Sequence, residues 1–261
     1  MKASNVSRAL VGALLLSPWL ALAAVGKVSK VEGEATRVAS VKETRQPAAG
    51  ATAQTLKDGD AIELNDRITV GDAGHLKLTL NDGSVVMVGP GSTLYLDEAT
   101  FEGQERKGFS AFLEVGKVWA KVKKVLAGSE AKFEVTTERA VAGVRGTIFR
   151  VDALKATLQA NTSNAKSRQV STVVRVKEGR VAVADPRKYA QMAAQGQTLP
   201  AKGPRKQVAG PTEVSAEAWE ERFVLLQAGR KVVVGPDLWE VGKTARAEND
   251  AFDAWVKANQ N

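Results

Sequence analysis

The residues that could do chemistry are few, and their spacing argues against catalysis. The 261-residue chain has one histidine, His75, and no cysteine. A zinc site would need carboxylates for most of its ligands. A Ser-His-Asp arrangement would have to use His75, which stands between Gly74 and Leu76 with no nucleophile-elbow sequence nearby. His75 is expected at an exposed turn. Gly242-Lys243-Thr244 has the ending of a phosphate-binding loop, but the position five before Gly242 is Asp237 and no glycine-rich loop precedes it. Asp58-Gly59-Asp60 opens like a calcium loop, yet its twelfth position is Thr69 rather than glutamate, and turn chemistry accounts for it. No pair of the many acidic residues is placed in a cleft as a glycosidase needs. The chain reads as non-enzymatic, with no catalytic, cofactor or metal site.

Three constellations suit binding or stapling. Trp119, Lys121 and Lys123 alternate on one strand face, opposite Val118, Ala120 and Val122. An aromatic and basic stripe can bind an anionic glycan or lipid headgroup by stacking and charge; the alternative is a solvated face with Trp119 lying over a neighbouring strand. Asp82-Gly83-Ser84 follows Asn81 in a tight hairpin corner, where residues tolerant of positive φ are favoured. Val144-Arg145-Gly146-Thr147-Ile148-Phe149 sets a cation among apolar residues. If Arg145 is buried, its five donors need carbonyl or carboxylate partners. It then either ties neighbouring strands together or grips an anionic group of a ligand.

The elements that position these residues are strands. From Val25 to about Val183, apolar residues alternate with polar ones, as in Leu76, Leu78 and Leu80, in Phe109, Ala111, Leu113 and Val115, and in Phe133 and Val135. A period of two buries one face and wets the other. Gly116-Lys117 is expected to turn the chain before Val118, and Gly179 to turn it between two strands. Residues 39–56 read as a loop and residues 155–170 as an exposed hairpin tip. Pro186, Pro200, Pro204 and Pro211 mark the edge of the β region. Beyond it, Ser215 can cap a helix over Ala216–Gln227 with Gly229 as its stop. Val232-Val233-Val234 reads as extended, and Leu238–Ala258 as helical with a break at Gly242. Trp219, Trp239 and Trp255 are expected to anchor these helices. The division is 1–23 as a signal peptide, 24–185 as a β domain, 186–212 as a linker or edge, and 213–261 as a helical region.

In this order the segments resemble the periplasmic FecR-type domain. The resemblance rests on Gly26-Lys27-Val28 with Val31–Glu34, Leu56–Asp60 with Asn65-Asp66-Arg67-Ile68, and Leu78–Val88 around Asp82-Gly83-Ser84. It continues through Gly116-Lys117-Val118-Trp119, Phe133–Thr137, Ala140–Phe149 and Val174–Val183. It implies an all-β fold, a twisted, solenoid-like or sandwich-like domain, here with a small α-helical C-terminal appendage. It further implies that Asp82, Gly83, Ser84, Val144, Arg145, Gly146, Thr147 and Phe149 are a family motif of structural rather than catalytic use. The family is best known as the outer half of transmembrane anti-sigma regulators. Only eight residues precede the apolar segment, so a cytoplasmic sigma-binding domain is not expected, and a stand-alone exported member fits better.

Lys2 and Arg8, the apolar run Ala9–Leu16 and the small-x-small site Ala21-Leu22-Ala23 form an export signal. Either it is cleaved or it stays as an anchor; a bilayer span needs ~20 apolar residues, more than this run supplies. Without cysteine there is no disulfide and no lipoprotein processing. No later segment can span a membrane. Net charge is +8, of which Lys2 and Arg8 supply two, leaving +6 after cleavage. Such a protein meets anionic surfaces readily, or is merely soluble. The expected partner is another envelope protein, with an anionic envelope polymer such as peptidoglycan or lipopolysaccharide as the alternative. Nucleic acid is not expected, since no recognised motif is present. The expected location is periplasmic or secreted.

Overall fold

The structure, a computed structural model, describes residues 24–124, 131–155, 170–194, 223–235, 238–245 and 248–260. In chain order the strands are β1 (Gly26–Glu32), β2 (Ala35–Ala39), β3 (Gln54–Thr55), β4 (Ala61–Ile62), β5 (Asp66–Val70), β6 (His75–Leu80), β7 (Val85–Val88), β8 (Thr93–Glu102) and β9 (Glu105–Lys121). They continue as β10 (Lys132–Thr136), β11 (Val141–Val144), β12 (Ile148–Lys155), β13 (Val170–Glu178), β14 (Arg180–Ala184), β15 (Phe223–Gln227), β16 (Arg230–Val234) and β17 (Trp239–Lys243). Helix α1 spans Pro186–Ala194 and α2 spans Ala251–Asn259.

All seventeen strands join one open mixed sheet that β9 divides into two halves. One half runs β4-β1-β6-β7-β9-β12-β13-β16-β17. The other runs β3-β2-β5-β8-β9-β10-β11-β14-β15. Among the described strands only β9 and β10 run parallel. Inward side chains of both halves, among them Val28, Ile68, Leu94, Val118, Phe133, Phe149, Val181 and Val232, form one apolar cluster. The expected all-β architecture is therefore present, and the period-two runs are the reason.

β9 is where the halves join. Its residues up to Val115 pair with β8, and Gly116–Lys121 pair with β12. Gly116 was expected to turn the chain; instead the strand bends there and continues. At φ +100° it occupies a conformation that side chains rarely adopt, and a Cβ would lie 2.1 Å from Ser92 Oγ. That hydroxyl accepts the Lys117 N–H at 2.8 Å, which fixes the corner.

The C-terminal region differs from the expectation of two long helices. Phe223–Gln227 and Trp239–Lys243 are strands, residues 216–222 of the first expected helix lie outside the described residues, and the described helix of this region is Ala251–Asn259. Gly229, at φ +77°, is a hairpin turn rather than a helix stop. Val232–Val234 is extended as expected. The physical reason is pairing. β15 extends the ladder of β14, and β16 that of β13, so two sheet edges supply hydrogen bonds that isolated short helices would lack. Pro186, read as an edge marker, opens α1, where a first-turn proline costs no hydrogen bond. Trp219 and the expected tip over 155–170 lie outside the described residues for the most part, while β12 and β13 that flank the tip do pair as a hairpin.

Candidate functional site

The two signature segments meet around the end of β9. Asp82 is buried, and its carboxylate accepts the Ser84 N–H and hydroxyl, each at 2.8 Å, and the guanidinium of Arg106. Ser84 Oγ in turn accepts Arg106 Nη1 and the Lys123 N–H, both at 3.0 Å. From the other side, Thr147 O accepts the Val122 N–H at 2.9 Å, and Thr147 Oγ1 donates to Arg180 O at 2.9 Å. Gly146, at φ +64°, lets the chain pass Lys124, whose Cγ would stand 2.2 Å from a Cβ. Val144 and Phe149 are buried, and Phe149 meets Phe133 edge-on at 6.3 Å. The arrangement clamps Val122–Lys124 between two turns. Gly83, at φ +81°, makes the first turn tight enough for it.

The buried guanidinium belongs to other arginines than the one the sequence suggested. Arg145 is half-buried, and no described residue pairs with its side chain. Arg106 is fully buried and lies 5.2 Å over the Phe133 ring. Burial pushes its pKa down, and Asp82 opposes that. Arg150 is 5% exposed and surrounded by carboxylates. Its Nε donates to Asp152 at 2.7 Å, and its two Nη atoms donate to Asp250 at 2.9 and 2.8 Å, with Asp253 a further acceptor. Asp250 and Asp253 are the N-cap and N3 residues of α2, forming a capping box while they hold Arg150. Burial disfavours the Asp250 carboxylate, yet hydrogen bonds from Arg150 and Lys117 outweigh it and hold the carboxyl far below its ordinary range.

Arg150 belongs to a row that crosses seven strands. Cross-strand partners share a face, so Lys30, Lys77, Met87, Trp119, Arg150, Arg175 and Lys231 line up on the outer side of the β4–β17 half. Helix α2 packs on this row. Phe252 and Val256 join Met87 and Trp119 in a small apolar cluster. Lys117 pairs with Asp250 at 2.6 Å, Lys231 with Glu248 at 2.5 Å, and Trp255 Nε1 donates to Glu32 at 2.7 Å. Lys30 and Lys77 donate to Asn259 at the far end, at 2.8 and 2.7 Å. The stripe sought along β9 is thus not an open one. Trp119 is buried beneath α2, while Lys121 and Lys123 are exposed beyond it. His75 is a strand residue rather than a turn residue, stacked on Trp255 with centroids 4.7 Å apart, and burial lowers its pKa.

A second feature stands at the end of the same half. Val31, Leu76, Val88, Val118, Val151, Val174 and Val232 form the neighbouring inward row, and Val241 continues it. Val232 is fully buried, but Val241 is 40% exposed, and Trp239, opposite the buried Val234, is 39% exposed. Hydrogen bonds from Gly235 N–H to Leu238 O and from Thr244 N–H to Gly229 O set the alternation of the β16–β17 ladder. They leave Trp239, Val241 and Lys243 at positions whose backbone N–H and C=O point to the outer edge. Among the described residues no strand pairs with that edge.

Sequence reasoning missed Arg106, Arg150 and α2's seat. One signal was available: Arg150 and Asp152, two apart in a strand, share a face. Arg106 carried none, lying between Glu105 and Lys107 like a surface cation.

Comparison with known proteins agrees with the signature residues. Residues 66–182 match the family model described as FecR protein. Two crystal structures of a candidate anti-sigma factor from Parabacteroides distasonis ATCC 8503 are similar, with 20% and 19% identity and TM-scores of 0.41 and 0.42. Each alignment covers 73% of this chain and 64% or 63% of the other, so the chain spans less than two thirds of their length. No curated protein matches.

Proposed function

We propose that this FecR-domain chain is an exported, non-catalytic sensory or scaffold module that docks an extended segment of another envelope protein on the outer edge of β17. Export is supported by the basic, apolar and small-x-small segments of residues 1–23. The match of residues 66–182 to the FecR family model, together with the anti-sigma regulators that the sequence resemblance brings in, supports a signalling role. The docking mode rests on one observation: Trp239 and Val241 face inward by register yet are about two-fifths exposed, with their backbone groups turned outward. An added strand would satisfy those groups and complete the core row, which is how strand addition gains both affinity and selectivity.

The test places a photo-crosslinking residue at position 241 or, as a control, at the exposed position 121, in cells that carry the native envelope. Capture of a defined partner at 241 and not at 121 is expected. Val241→Pro removes the outward N–H without touching the β16 ladder, and edge strands tolerate proline. It should abolish capture at a neighbouring edge position while the melting transition stays within a few degrees. Equal capture at 241 and 121, or capture unaffected by the proline, would refute the reading.

A further inference from the structure

We infer that the outer face of the β4–β17 half is a binding seat for an acidic, aromatic amphipathic helix, occupied in the free chain by α2 and open to a partner's helix of the same chemistry when α2 lifts away. This surface is distinct from the β17 edge, so either can fail without the other. The face has the composition of such a seat. Five of the seven residues in its transverse row are cationic, and the other two, Met87 and Trp119, are the apolar centre. The occupant is complementary. It carries Glu248, Asp250 and Asp253 at its leading end and Phe252, Trp255 and Val256 along one side.

The contacts divide as they do when a helix lies in a groove: a dry apolar centre within a polar rim. Phe252 is 2% and Val256 3% exposed at the centre. Around them the side chains of Asp250, Lys117, Asp253 and Glu248 remain 34, 32, 27 and 25% exposed. The Lys117–Asp250 and Lys231–Glu248 pairs, solvated at both ends, contribute little to holding the helix. Two buried apolar side chains and Arg150 therefore carry most of the attachment. A nine-residue helix is far too short to persist alone. Leaving the seat and unravelling are then one event, and a short element packed on one face opens at lower cost than the whole domain. A partner helix competes with α2, and its apparent affinity falls by the fraction of molecules in which α2 is seated. The chemistry required is explicit: carboxylates at the N-cap and third helical positions, aromatics at the second and fifth.

The probe is a fluorescein-labelled peptide of residues 248–260, titrated by anisotropy against the full chain. A Phe252→Ala/Trp255→Ala chain should bind it ~10-fold or more tightly than wild type, because its own helix is a weaker competitor. Adding Lys117→Glu to that variant, which places a carboxylate against the peptide's N-cap, should reverse the gain. Unlabelled poly-glutamate should not displace the peptide, since it lacks the aromatics. Should the double variant fail to fold, hydrogen exchange on the wild-type chain decides: excess peptide should speed exchange of the α2 amides and leave the sheet unchanged. A well-folded double variant that binds no better than wild type, displacement by poly-glutamate as effective as by peptide, or α2 exchange unmoved by saturating peptide would each overturn the inference.

Discussion

At the residue scale, the fold depends on guanidinium groups that have been withdrawn from water and paired with buried carboxylates. Arg106 is the clearest. It has no exposure, and Asp82 beside it is 4% exposed. Arg106→Met keeps the volume and removes the charge, leaving Asp82 buried without its cation. Breaking a buried pair in this way costs ~3–5 kcal/mol. Chemical denaturation should show a loss in that range. Arg145→Ala should cost much less, about 1 kcal/mol or below, because Arg145 is half-exposed and no described residue pairs with it. The contrast measures which arginine is the staple. The signature around Gly146 and Thr147 was legible in the sequence, as were the tight corner at Gly83 and its hairpin. The partner of Asp82 was not. Strand alternation shows which residues share a face within one strand, but Arg106 pairs with β8 at the start of β9 and meets Asp82 only because the two halves of the sheet pack together. Arg150 stayed hidden for a related reason. By alternation it is an outward, solvent-facing residue, and it becomes buried only because a helix one hundred residues later lies over it.

At the scale of elements, the single device that makes two halves from one sheet is the bend in β9. Gly116→Ala should therefore be more damaging than an ordinary glycine substitution. The new Cβ would meet Ser92 Oγ at 2.1 Å and Ser92 Cα at 2.5 Å, and the backbone at φ +100° would be strained as well. A loss of at least ~2 kcal/mol is expected, read from the denaturation midpoint at constant slope. Gly103→Ala makes a useful control, since it also has positive φ but open space around it. The strands of the β region were readable because their apolar residues repeat every second position over long stretches. The C-terminal elements were not. Phe223 and Leu226 fit a helical spacing, yet the strand they occupy is only five residues long, and a stretch so short satisfies either period. What decides between them is the vacant ladder edge of β14, which no local pattern records. Trp255 was correctly legible as an anchor of its helix, whereas Trp239, read the same way, stands on an edge strand.

At the scale of the whole molecule, each half carries a helix on its outer face, and the two seats respond oppositely to acid. On one side, Tyr189 of α1 donates its hydroxyl to Glu134, which is 5% exposed. Burial pushes the Glu134 carboxyl above its ordinary value of 4.5, and the hydrogen bond from Tyr189 only partly opposes this. Folding therefore favours the protonated form, and its contribution is full below pH 4.5 and lost as pH rises through the raised value. On the other side, Asp250 is held below its ordinary value of 3.8. Its contribution is present at every pH above that value and disappears only as pH falls through the depressed one. Acidification from neutrality to about pH 4.5 should consequently leave α2 seated while the Glu134 site gains stability. As pH falls from 3.8 toward the depressed value, the Asp250 contribution to the α2 seat is progressively lost, and Arg150 and Lys117 lose their counter-charge. Hydrogen exchange measured along a pH series, corrected for the intrinsic rate, should show α2 losing protection before any strand of the β4–β17 half. In an Asp250→Asn chain, α2 should already be less protected at neutral pH, and the step below pH 3.8 should shrink. Simultaneous loss of protection in α2 and the strands would mean that the helix is an integral layer of the fold, with no opening of its own for a partner to use.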